Sequence, residues 1–123
     1  LRDDLWQQLA AVEGIERVGR WSRSECLPHH LAVLISSAQG EPLSARAAVR
    51  QLAQAGVAVS SGSACSSGSD QANPALLALG YNDRQARSGL RFSVGPWLQP
   101  QDFNALPALL ESVLRQLPTV ELP

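Results

Sequence analysis

The sequence contains no lysine: all ten basic residues among its 123 are arginines. A Schiff base to an aldehyde cofactor or a carbonyl substrate needs a lysine amine, so the chain's own side chains cannot supply one. Methionine is absent too, and cysteine occurs only at Cys26 and Cys65. The two thiols form no CxxC pair and sit beside no ligand pattern, which leaves a structural zinc without support. Their separation in sequence leaves a disulfide open, because it says nothing about Cα distance; two free thiols in a reducing compartment are the expectation. No apolar run approaches the ~20 residues that cross a bilayer. Leu1 to Trp6 has the charged pattern of a helix face instead of a signal peptide, so the expectation is a cytoplasmic protein with no membrane partner. The formal net charge is only -1 and the arginines are scattered, so no basic face offers itself to a nucleic acid backbone.

What is present is the material of one core. Hydrophobic residues make up 45% and charged residues 17%, the balance of a folded domain, and the length suits a single one spanning 1–123. Leu5, Leu9 and Val12 recur at helical spacing and Gly14 follows as a stop. Ile15 to Arg20 reads as a short edge strand and Leu31 to Ile35 as a buried one. Ser44 caps a second helix with Val49 and Leu52 on one face, Gly56 ends it, and Val57 to Val59 reads as a short strand. Asn73-Pro74 opens another helix that Gly80 closes, and Asp83 starts a helical turn through Arg87. Leu90 to Val94 is the next strand, with Leu90, Phe92 and Val94 on one side and Arg91 on the other. Gln101 to Leu117 reads as a last amphipathic helix with Pro107 in its first turns. Helices alternate with short strands, so the expected fold is a small two-layer α/β sandwich: a short, mostly antiparallel sheet with helices packed on it.

Between Ser60 and Asp70 the composition changes abruptly to serine and glycine around Cys65. Such a loop leaves a thiol accessible and surrounded by donors, as a nucleophilic cysteine requires. Taken alone, these residues leave two readings open: a reactive thiol, or a small side chain in a small-residue turn. Arg91 likewise reads either as a carboxylate grip, through two parallel bonds, or as a strand arginine in a surface ion pair.

The segment Val57-Ala58-Val59-Ser60-Ser61-Gly62-Ser63-Ala64-Cys65-Ser66 resembles the active-cysteine segment of cysteine desulfurases of the iron–sulfur assembly type, pyridoxal-phosphate enzymes of the class V aminotransferase family. Ser88-Gly89-Leu90-Arg91-Phe92-Ser93-Val94-Gly95 resembles that family's arginine strand, Pro74 to Tyr81 its Leu-x-Ala-Leu-Gly helix, and Leu27-Pro28-His29-His30-Leu31 its upstream strand entry. Four blocks in the family's order run from about Leu27 to Gly95. The resemblance implies the C-terminal small domain of a fold-type I pyridoxal-phosphate enzyme, with Cys65, in a mobile loop of about residues 60–73, as the thiol that takes sulfur from L-cysteine and becomes a persulfide while alanine leaves. It implies Arg91 as the residue that holds the substrate carboxylate. It further implies a homodimeric parent that carries pyridoxal phosphate, and a sulfur-acceptor or iron–sulfur scaffold protein as partner. His29 and His30 are expected to be structural, since the family's catalytic histidine belongs to another domain, and Cys26 a passive, half-buried thiol.

The sequence departs from the family in lacking the cofactor lysine and every other cofactor-binding feature of the large domain, so the expectation is a fragment that binds no cofactor and is inactive alone. It departs again at Gly95-Pro96-Trp97-Leu98, where many members carry a basic residue and then a threonine. Two other classes compete: a non-enzymatic persulfide carrier or scaffold module, and a redox domain that pairs Cys65 with Cys26 as resolving thiol.

Overall fold

A computed structural model of the chain describes residues 2–18, 30–61, 72–93 and 97–120. Helix α1 (Arg2–Leu9) places Asp3 and Asp4 in its first turn, where carboxylates complement the helix dipole. Leu5 and Leu9, one turn apart, both bury, and Val12 buries just beyond the helix end. The chain reverses at Gly14, whose carbonyl accepts the Ser36 N–H at 2.8 Å. Strand β1 (Ile15–Arg17) follows at the sheet edge, as its short amphipathic run predicts; residues 19–20 of the expected strand lie outside the described residues.

Strand β2 (His30–Ile35) is the middle of a three-stranded sheet of order β1-β2-β3, with both pairings antiparallel. Leu31, Val33 and Ile35 alternate onto one face and bury there with Leu90 and Phe92 of β3 (Gly89–Ser93). Against that face pack α1, α2 (Ala45–Gln54) and α5 (Leu106–Gln116), through Leu5, Leu9, Leu52, Leu110 and Leu114. On the other face, the described residues form a smaller cover. There Leu34 meets Leu76 of α3 (Pro74–Ala78) and Ala86 of α4 (Asp83–Ala86) in a smaller cluster. The architecture is the expected two-layer α/β sandwich.

The helix ends follow their capping residues. Ser44 Oγ accepts the Ala47 N–H at 3.2 Å, Asn73 Oδ1 accepts the Ala75 N–H at 2.9 Å, and Pro74 takes the first position of α3, where its missing N–H costs nothing. Asn82 and Gln85 form a reciprocal capping box at the start of α4.

The inward face of α2 is Ala45, Ala48 and Leu52, with Val49 partly buried against the same core, as expected. Two expectations need correction. Val57 to Val59 is no strand: the Val57 N–H turns back to the Leu52 carbonyl (2.8 Å), and the chain meets β3 only at Ser60, in an isolated bridge. The stretch 101–117 is two elements, a 3-10 turn (Pro100–Phe103) and then α5. Pro107 explains the break, since its ring would clash with the Phe103 carbonyl in a continuous helix but is accepted in the first turn of a new one. After α5 the chain returns beside Pro42–Ser44, with the Ser44 N–H donating to Pro118 (3.0 Å) and the Val120 N–H to Pro42 (2.8 Å). Arg84 fastens this return, donating to the Val120 carbonyl through Nε (3.2 Å) and to Glu41 through Nη2 (2.9 Å).

Candidate functional site

Arg91 sits in the middle of β3 between Leu90 and Phe92, and because those two bury in the core, the pleat sends Arg91 to the opposite face. The path into this strand is fixed locally. The Ser88 hydroxyl, fully buried, donates to the Gln85 carbonyl at 2.7 Å, and the Ser88 carbonyl accepts the Ile35 N–H at 3.0 Å.

That last bond sets the phase of the β2–β3 ladder. Hydrogen-bonded and non-hydrogen-bonded pairs alternate in an antiparallel ladder, so with Ile35 bonded to Ser88, the Cα partners Ala32 and Arg91 form a non-hydrogen-bonded pair. Two further bonds agree. The Ala32 carbonyl points to β1 and accepts the Val18 N–H (3.0 Å), while the Arg91 backbone points the other way, its N–H donating to Ser60 (2.7 Å) and its carbonyl accepting from Ser60 (3.1 Å).

Ser60 is the first residue of the serine–glycine stretch, so that stretch begins beside Arg91. This is what the structure brings together. Cys65, Cys26 and His29 lie outside the described residues, and His30 enters only as the first residue of β2, opposite Ser93. The Arg91 Nε atom is buried and has no hydrogen-bond partner among the described residues. The surface ion pair that competed for Arg91 at the sequence level is therefore not formed with them through Nε. Arg84 and Arg87, by contrast, pair with Glu41 (2.9 Å) and Asp83 (3.1 Å).

Surface grooves among the described residues lie elsewhere. One of about 520 Å³ is walled by apolar side chains such as Leu5, Phe92, Leu98 and Phe103, and one of about 610 Å³ runs past Ser37, Glu41 and Glu111. Neither is lined by Arg91. Among the described residues no group of three or more His, Cys, Asp or Glu could hold a metal ion, and no helix is long and apolar enough to cross a membrane.

Sequence comparison supplies the class. No family model matches the chain. Curated relatives do match, and the two named next are cysteine desulfurases, to whose C-terminal part this chain is similar. It is 33% identical over 117 residues to the cysteine desulfurase IscS of Histophilus somni (strain 2336), which covers 95% of this chain and 27% of the relative. To the cysteine desulfurase IscS of Shewanella sediminis (strain HAW-EB3) it is 36% identical over 104 residues, 85% of this chain and 24% of the relative. The fold is shared with a NifS-like protein from Rickettsia africae ESF-5, at a TM-score of 0.65 and 21% identity over 92% of this chain and 27% of that one. The chain thus spans about a quarter of the length of the relatives it matches.

The family implies pyridoxal phosphate in the whole enzyme. The residues of this chain do not fit as its anchor. The sequence contains no lysine, and the side chain of Arg91 is a guanidinium, which does not take the place of a lysine amine in a Schiff base.

Proposed function

We propose that this chain is the C-terminal small domain, 1–123, of a cysteine desulfurase, and that Cys65 is the thiol on which sulfur from L-cysteine becomes a persulfide. The transfer balances without an outside oxidant: L-cysteine and the Cys65 thiol give L-alanine and the Cys65 persulfide. One S–S bond forms, the Cβ–S bond of the substrate breaks, and the substrate carbon is reduced as the sulfur is oxidised. Arg91 holds the substrate carboxylate, for which a planar guanidinium offers two parallel bonds. A lysine outside this chain holds pyridoxal phosphate in the parent.

The observation that carries this reading is the Ser60–Arg91 pairing. It starts the cysteine-bearing stretch at the backbone of the carboxylate-binding arginine, and five residues from Ser60 to Cys65 give the thiol a reach of at most about 18 Å. That length of chain is short enough for the thiol to act within the neighbourhood of the substrate. The persulfide passes to a sulfur-acceptor or iron–sulfur scaffold protein, the parent is a homodimer, and the compartment is the cytoplasm.

The test is Cys65→Ser in the parent enzyme. Sulfur transfer to a thiol acceptor is expected to fall to background while the absorbance of bound pyridoxal phosphate stays. Wild-type turnover in that variant would remove Cys65 from the chemistry. A second reading, a persulfide carrier without its own cofactor, is favoured by the lack of lysine alone. A parent reading frame with a lysine-bearing cofactor domain decides against it.

A further inference from the structure

The ladder phase singles out one neighbour of Arg91. In a non-hydrogen-bonded antiparallel pair the two Cα atoms lie about 4.5 Å apart and the side chains are closer than in the hydrogen-bonded pairs to either side. Ala32 and Arg91 are such a pair, while Ser60, on the other flank, exchanges both backbone bonds with Arg91 and so stands in the wider arrangement. Ala32 is therefore the cross-strand side chain nearest to the stem of Arg91 on that face. It is half-buried, and it is the smallest side chain that still has a Cβ. On β2 the adjacent residues, Leu31 and Val33, are large and fully buried in the core, so the small size of Ala32 serves the other face.

The state of Arg91 shows what that small size does. Its Nε is buried and has no hydrogen-bond partner among the described residues. A long cationic side chain whose Nε is buried needs room beside its nearest cross-strand neighbour, and a small residue there leaves it. We propose that Ala32 is a positioning residue for the substrate carboxylate: by staying small beside Arg91, it sets the height and direction at which the guanidinium meets its ligand. The inference rests on the assignment of Arg91 given above. A branched or longer side chain at position 32 lifts or turns the guanidinium, and displacements of about 1 Å in a positioning group can cost on the order of 100-fold in turnover efficiency. Because the carboxylate grip is the same before and during the reaction, the loss falls on KM more than on kcat.

The experiment is a size series at position 32 in the full-length holoenzyme, Ala32→Gly, Ala32→Val and Ala32→Leu, read as KM and kcat for L-cysteine with a melting temperature for each. Valine suits a strand better than alanine does, so Ala32→Val separates crowding from loss of folding. The expected result is a KM that rises from alanine to valine to leucine, by about tenfold or more for leucine, with kcat nearly constant and the melting temperature of Ala32→Val unchanged or higher. Arg91→Lys in the same assay keeps the two levels apart. If Arg91→Lys raises KM while the series at 32 is flat, the role of Ala32 is wrong and that of Arg91 stands. If Arg91→Lys leaves KM unchanged, both fall.

Discussion

Gly14 and Gly80 both sit at positive φ, +89° and +98°, but their surroundings differ. Around Gly80 a Cβ would meet nothing within 4 Å, whereas at Gly14 it would collide with the carbonyl oxygen of Ser36, the residue whose N–H bonds to Gly14. Gly80→Ala therefore carries only the left-handed backbone penalty, about 1–2 kcal/mol, and Gly14→Ala adds a backbone collision, for a total of about 3 kcal/mol or more. Urea unfolding of the two variants measures the difference, and equal losses would mean that the approach of Gly14 to Ser36, at the end of the sheet where β1 begins and β2 stops, is not as tight as it stands here. At the same scale, Arg91→Lys should raise KM for L-cysteine by about 10- to 100-fold with little change in kcat, because an ammonium cannot replace the two parallel bonds of a guanidinium. Arg115→Lys, on the exposed side of α5, is the matched control and should change neither. If the two substitutions behave alike, Arg91 does not touch the substrate.

At the scale of elements, α4 is only four residues long and yet decides how the chain enters β3. Its capping box, with Asn82 Oδ1 accepting from Gln85 N (2.9 Å) and Gln85 Oε1 from Asn82 N (3.0 Å), is what holds so short a helix together. Asn82→Ala should lower stability by about 1 kcal/mol, and Asn82→Asp, which keeps the acceptor, should restore most of it. Thermal melting distinguishes the two, and an unchanged Asn82→Ala would show that β3 holds α4 in place without its cap.

The same contrast between local and distant causes explains what the sequence discloses. Ser44, Asn73 and Gly80 mark element boundaries correctly because capping and left-handed stops are short-range chemistry, written in the residues that perform it. Val57 to Val59 misleads because two β-branched residues favour a strand, but a strand needs a partner, and the return bond from Val57 to Leu52 leaves only Ser60 in register with β3. Gln101 to Leu117 misleads because its leucines keep helical spacing across the point where Pro107 forces a new start. Arg91 is legible as a candidate from its strand pattern and from the resemblance that surrounds it. Ala32 is not, since its importance comes from the phase of a ladder between residues 59 positions apart, and a lone alanine in a strand carries no signal of its own.

At the scale of the whole molecule, the chain is a well-formed α/β sandwich with a buried core, yet it spans about a quarter of its curated relatives and contains no amine side chain for the cofactor their family implies. Core and site are therefore separable. Most of the buried core lies on one face of the sheet, and on the reading proposed above the other face, with Arg91 and Ser60, is the one that meets the substrate. On the reading proposed above, removal of the Cys65 thiol should leave folding and cofactor content intact while ending sulfur transfer. The most direct measurement is the mass of the parent enzyme after a single turnover with L-cysteine, with the persulfide trapped by alkylation and mapped by peptide digestion. The account predicts one additional sulfur on the peptide that contains Cys65, formed in equal amount with alanine and absent from Cys65→Ser; alanine released with that peptide unmodified, or the extra sulfur on Cys26, would contradict it.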